Sequence, residues 1–287
     1  LSDTTAKDDE QWDLVIEPKK KLLSLNLREI IHYRDLIYLL IKRDFTTVYK
    51  QTILGPLWFI VQPLITTVMY GFVFGGLAKI PTDGIPQTLF YFSGTMLWAY
   101  FNACIMTSSD TFAANAGLFG KIYFPRLVMP ISKAISNLIS FSIQFVTMLV
   151  IQINYLAHGI KVWPTWWALL VPLIILWLAA FGTGFGMIIS SLTTKYRDLR
   201  QVLSFGIGLW MYATPIVYPL SRVPEKYKWV FYVNPVSAPI EFFRKAFFGA
   251  GDVSPSLMIT SIISSALVVI FGLVLFEKNE RTFIDVA

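Results

Sequence analysis

Six long apolar runs, each near the length that crosses a lipid bilayer, limit what this chain can form. They lie at about 57–78, 88–108, 131–156, 166–192, 201–219 and 256–276, each close to the ~20 residues that a membrane helix needs. In hydrocarbon every backbone polar group must be satisfied within the protein, which leaves helices and closed barrels. Runs of this length predict an all-α polytopic membrane protein. Composition agrees: 55% of residues are hydrophobic and 15% are charged, against roughly a quarter charged in soluble domains.

Basic residues set the orientation. Lys19, Lys20, Lys21, Arg28, Arg34, Lys42, Arg43 and Lys50 precede the first run; Lys121 and Arg126 follow the second; Lys195, Arg197 and Arg200 follow the fourth. The loops after the first and third runs carry only Lys79 and Lys161. Cations concentrate on the cytoplasmic side, so both termini are expected there. No apolar segment opens the chain, which also predicts a cytoplasmic N-terminus. The net charge of +6 is therefore topological and implies no nucleic-acid partner. Residues 220–255 depart from the pattern: they carry cations on the expected outer side, and their apolar pieces are too short to span. They predict a re-entrant or interfacial hairpin broken at Pro235 and Pro239.

Residues 27–50 place Ile30, Tyr33, Ile37, Leu40, Ile41, Phe45 and Val48 on one stripe of a helix, with charged residues opposite. This predicts an amphipathic helix along the cytoplasmic leaflet. Gly55 suits the turn that ends it, and Pro56 fits the first turn of the next helix. Pro63 is expected to bend that helix. Gly182 and Gly186 are expected to allow close helix contact. Cys104, the single cysteine, is expected to be packing.

Motifs for chemistry are missing. "GLFGKIY" (117–123) has its glycines too close for a phosphate-binding loop, and Ile122 stands where Ser or Thr would hold magnesium. Deep ionisable residues are few, so the chain has no evident energy source of its own. Aromatic residues are 16% of the chain, and many lie inside the runs. Buried Tyr and Trp need a partner for their polar edge. Core packing and a passage for a hydroxylated chain both supply one. Gln62, Asn102, Asn137, Gln144, Gln152 and Asn154 also lie in or near the runs, as interhelical glue or as part of a polar conduit.

Several strings carry a resemblance. They are "YKQTILGPLWFIVQPL" (49–64), "NAGLFGKIYFPRLVMPIS" (115–132), "KYRDLRQVL" (195–203), "YATPIVYP" (212–219), "NPVSAPIEFFR" (234–244) and "FEKNERTFIDVA" (276–287). In this order, with six spans and an amphipathic helix, they resemble the ABC-2 type exporter permeases, in the branch that exports O-antigen and other polysaccharides. Teichoic-acid and capsule permeases are near relatives of that branch.

The resemblance implies a homodimer in the bacterial inner membrane, paired with two copies of an ABC ATPase subunit. ATP and Mg2+ are then expected in the partner, with no cofactor, metal or catalytic residue in this chain. It implies an extension at 1–24, an interface helix at 25–55 and the transmembrane domain at 56–287. The segment Asn115 to Arg126 resembles a coupling helix. Leu118, Phe119, Ile122 and Phe124 would enter a groove on the ATPase, beside Pro125, with Lys121 and Arg126 at the rim. Tyr196, Arg197 and Asp198 form a second cytoplasmic turn, and residues 229–251 become re-entrant helices. The first and fifth spans line the passage in such permeases. Trp58, Phe59, Gln62, Tyr70, Trp98, Trp210, Tyr212 and Tyr218 are the expected lining. Arg34, Lys42, Arg43 and Lys50 would meet the diphosphate of an undecaprenyl-type lipid-linked glycan. The alternatives are a teichoic-acid or capsule permease, an ABC-2 exporter of a smaller lipid or drug, or a membrane enzyme acting on lipid-linked substrates. No convergent His, Asp or Glu set favours the enzyme.

Overall fold

The computed structural model describes residues 27–50, 55–119, 124–193 and 198–284. These form helices joined by turns, with no strand among the described residues. In chain order the helices are α1 (Leu27–His32), α2 (Arg34–Tyr49), α3 (Trp58–Tyr70), α4 (Gln87–Ser109), α5 (Thr111–Phe119) and α6 (Val128–Ala157). They continue with α7 (Val171–Thr193), α8 (Leu199–Tyr212), α9 (Glu225–Val233), α10 (Ser237–Phe248) and α11 (Pro255–Ile284).

Four helical stretches among the described residues are long and apolar enough to cross a membrane: Trp58–Leu77, Val128–Ala157, Trp166–Thr193 and Pro255–Asn279. The other two expected spans differ in kind. The 23-residue α4 is about 34 Å long at 1.5 Å per residue. It is buried along most of its length and carries Ser93, Ser108 and Ser109 inside. The 14-residue α8 is about 21 Å, short of the ~30 Å hydrocarbon core. It stops at Tyr212 because Pro215 and Pro219 follow, and the chain to Pro219 is irregular.

Helix α4 sits at the centre, between α6 and α7, and α7 packs in turn on α11. Glycines set these distances. A Cβ on Gly186 would stand 2.6 Å from the Ile105 carbonyl oxygen of α4, and one on Gly182 would stand 2.9 Å from Cys104 Cβ. Gly272 meets the Gly184 carbonyl in the same way on the α11 side. Close approach at Gly182 and Gly186 is as expected, and Cys104 is fully buried at that contact.

The amphipathic stripe turns inward. Ile30 and Leu40 are buried, and Leu40 packs with Phe124, Val128 and Met129, flanked by Tyr33, Leu36 and Ile37. Helix α2 thus lies on the start of α6, while Tyr38, Leu39 and, from the expected stripe, Phe45 are exposed on it. It ends at Tyr49, where Lys50 N–H donates to Thr46 O at 2.9 Å. Gly55 has φ of +46°, a left-handed conformation suited to glycine, and opens the tight turn Gly55–Leu57 into α3. Helix α3 continues through Pro63 and changes pitch at Gly71–Leu77, a π-helical stretch.

Residues 225–248 form two helices, with a break at one of the two expected prolines, Pro235. It falls at Asn234–Val236, whereas Pro239 lies in the first turn of α10. An N–H is dispensable there, so proline is tolerated. Gly249, with φ of +74°, caps α10.

Candidate functional site

The expected lining residues divide by exposure. Trp58, Gln62 and Tyr212 are exposed, with Trp58 at 48% and Tyr212 at 54%. Phe59, Tyr70, Trp210 and Tyr218 are half-buried. Trp98 is buried and does not reach the surface: its ring packs on Trp210 at 6.2 Å and on Phe101 at 5.4 Å. Phe181 and Phe185 complete that aromatic cluster against Trp210. The cluster holds α8 on α4 and α7 from the inside, which leaves the other side of α8 free. Phe205, Leu209 and Tyr212 are exposed there, and Gly206 and Gly208 face open space. Helix α3 likewise exposes Trp58, Ile65, Val68 and Met69, and the π-helical stretch after it exposes Phe72. The two helices meet where Tyr70 OH donates to Met211 Sδ at 3.7 Å. Tyr218 OH donates back to the Tyr212 carbonyl.

A buried polar knot supports the irregular end of α8. Arg244 on α10 is 1% exposed. Its Nη1 donates to Pro215 O at 2.6 Å and to Glu241 Oε1 at 3.1 Å. Its Nη2 donates to Ile216 O at 2.9 Å and Phe90 O at 3.3 Å, and its guanidinium lies 3.6 Å over the Phe90 ring. The other carboxylate oxygen of Glu241 accepts from Asp252 N–H at 2.9 Å. Asn234 Nδ2 adds a bond of 2.9 Å to Ala213 O. The fork geometry of arginine suits several carbonyls at once, and two of them, Pro215 O and Ile216 O, lie in the irregular stretch after α8. Arg244, Glu241 and Asn234 were absent from the expected site residues. The signal was present: an acid and a base at i, i+3 inside an aromatic run, which is a costly place for charge.

The expected coupling residues scatter. Asn115 Nδ2 donates to Thr111 O at 2.9 Å. Leu118 and Phe119 belong to the last turn of α5. Lys121, Ile122, Tyr196 and Arg197 lie outside the described residues. Phe124 is 4% exposed and is taken up by α2, so its ring is covered by the chain itself. Pro125 is half-buried and its carbonyl accepts from Val128 N–H at 3.0 Å. Arg126 is 6% exposed, with its guanidinium 5.9 Å over Phe112, so it stands inside and not at a rim. Asp198 precedes α8 without a side-chain cap. The clamp at that end is Arg200, which donates to Asp110 at 2.6 Å. Among the expected phosphate contacts, Arg34, Lys42 and Lys50 are exposed. Arg43 donates to Asp44 at 3.0 Å, and Asp44 also meets Lys133 at 2.7 Å.

With this geometry in view, the similarities to known proteins are informative. The O-antigen export system permease protein RfbA of Klebsiella pneumoniae is 30% identical over 268 residues, covering 92% of this chain and all of the relative. RfbA of Myxococcus xanthus is 28% identical over 200 residues, 70% of this chain and 74% of the relative. The polysialic acid transport protein KpsM of Escherichia coli is 23% identical over 252 residues, 84% of this chain and 92% of the relative. The ABC-2 type transporter family model matches residues 35–248. That match takes in the helices from α2 to α10, including both exposed faces and the buried knot, and by it the chain belongs to the ABC-2 type transporter family.

Proposed function

We propose that this chain is the membrane permease subunit of an ATP-driven exporter that moves a lipid-linked polysaccharide out across the bacterial inner membrane. The observation that carries the cargo class is the 30% identity over the full length of a relative named as an O-antigen export permease. The exposed, aromatic-bearing faces of α3 and α8 support it. Flat rings pack on sugar C–H groups, and tyrosine hydroxyls and Gln62 exchange hydrogen bonds with sugar hydroxyls. Two copies of the chain, with these faces opposed, would enclose a passage.

In this reading the chain crosses the membrane six times, with α4 and α8 as the additional crossings and both termini in the cytoplasm. Helices α9 and α10 are re-entrant on the outer side. ATP and Mg2+ act in a partner ATPase present in two copies. The segment 115–126 and the turn 196–198 face that partner. Phe124 transmits its movement to α2, and Arg200 with Asp110 transmits it to α8. Capsular polysaccharide is the second reading, favoured by the similarity to KpsM.

Deletion of the gene tests the reading. Lipid-linked polymer should accumulate inside the cell and surface glycan should disappear. Normal surface glycan with altered drug tolerance would overturn it in favour of a smaller cargo. Loss of capsule with O-antigen intact would select the capsular reading.

A further inference from the structure

A cavity of about 560 Å3 lies between α2, α3, α4 and α6, within the roughly 300–1,000 Å3 of small-molecule sites. No residue of α8 lines it, so it is separate from the exposed α3 and α8 faces. Its α6 wall carries a polar stripe, in which Lys133, Ser136, Asn137, Ser140 and Gln144 recur at helical spacing beside Ile139 and Phe141. The stripe runs about 16 Å along α6 at 1.5 Å per residue, inward from the end that α2 covers.

Part of this stripe is satisfied within the chain. Asn137 Nδ2 donates to Thr107 Oγ1 at 3.1 Å. Gln144 is not satisfied: it is 8% exposed, and its Oε1 has no hydrogen-bond partner among the described residues. The same holds for Ser136 Oγ. Buried acceptors are normally paired because leaving one unmade is costly, so these atoms mark where outside donors are received. At the mouth, Asp44 is shared by Arg43 at 3.0 Å and Lys133 at 2.7 Å. Two cations against one carboxylate leave the mouth positive. Phe59 and Phe141 supply flat apolar faces between mouth and depth.

We propose that this cavity binds the phosphate-proximal sugar of a membrane lipid. The phosphate meets Arg43 and Lys133, sugar hydroxyls donate to Ser136 Oγ and Gln144 Oε1, and the ring packs on the aromatic faces. A polar stripe of this length does not suit an acyl chain and extends beyond the reach of a glycerol headgroup. The assignment rests on the export reading for its source, a lipid-linked glycan. A glycerophospholipid shares the phosphate and hydroxyl chemistry and is the other source to test.

The test uses the full chain in lipid nanodiscs, with binding read by native mass spectrometry. The probes are a polyprenyl-diphosphate disaccharide, polyprenyl diphosphate without sugar, and phosphatidylglycerol. Gln144→Leu keeps the side-chain volume and removes the unpaired acceptor. It should keep or raise thermal stability, whereas a merely structural glutamine would lower it. Binding of the disaccharide probe should weaken by about three- to tenfold, the loss of one to two neutral hydrogen bonds, with the sugarless probe changing by less than about twofold. Ala103→Phe, which fills the cavity from α4, should weaken the disaccharide probe as well. Unchanged disaccharide binding in both variants would overturn the site. Phosphatidylglycerol held as tightly as the disaccharide, and lost equally in Gln144→Leu, would overturn the sugar assignment. Wild-type protein that bound neither polyprenyl probe would contradict the export reading and this assignment with it, a result distinct from failure of the variants alone.

Discussion

Arg244 and Glu241 bury opposite charges side by side, and the structure indicates what holds them there. The arginine's fork closes on two carbonyls of the Pro215 segment and one of α4, in addition to its carboxylate. Breaking a buried pair leaves a lone charge and costs about 3–5 kcal/mol, whereas replacing both members by apolar residues is far milder. Arg244→Met should therefore lower stability by about that amount, and adding Glu241→Leu should recover part of it, read by thermal unfolding in one detergent. Recovery stays partial because Pro215 O and Ile216 O lose the donor that Arg244 supplies. The exposed Arg200–Asp110 pair behaves differently. Arg200→Gln should change stability by less than about 1 kcal/mol. This division was only half legible in the sequence. Arg244 counted there as one more loop cation, because the carbonyls that its fork engages lie 28 residues or more away along the chain. Trp98 was similarly opaque: an aromatic run does not say which ring faces a passage and which faces Trp210.

Helices are where the sequence was most readable. Apolar length located α3, α6, α7 and α11, and the glycine spacing in α7 foretold its close contacts. Those contacts make a sharp prediction. Gly272→Ala forces α11 away from the Gly184 backbone and should destabilise by about 1–3 kcal/mol. Gly208→Ala, whose Cβ would meet nothing within 4 Å, should stay within about 1 kcal/mol of wild type or gain slightly from helix propensity. Both are measured by unfolding of the purified chain. The stripe on α2 was legible as a pattern, but its partner was not. Periodicity gives a face without saying whether lipid or another helix covers it, and here Phe124 and α6 do. Phe124→Ala should cost about 3–5 kcal/mol, the usual loss for a buried aromatic, and should expose α2 to protease before the rest of the chain. Equal protease resistance in variant and wild type would contradict the α2 contact.

At the scale of the molecule, a central α4 carries the surrounding helices through close glycine contacts, an aromatic cluster and a buried polar knot. The resulting body leaves α3 and α8 facing outward. The central claim is that these faces, together with an ATPase partner, pass a lipid-linked polysaccharide. The most direct measurement reconstitutes the chain and the partner ATPase in vesicles, with lipid-linked glycan in the leaflet that faces the ATPase. Glycan reaching the opposite leaflet is scored by an enzyme confined to that side. The account predicts that glycan appears there only with ATP and Mg2+, and that Gln62→Trp with Tyr212→Trp on the exposed faces slows its appearance while ATP hydrolysis continues. Sustained ATP hydrolysis by wild type with all glycan retained in its original leaflet would contradict it.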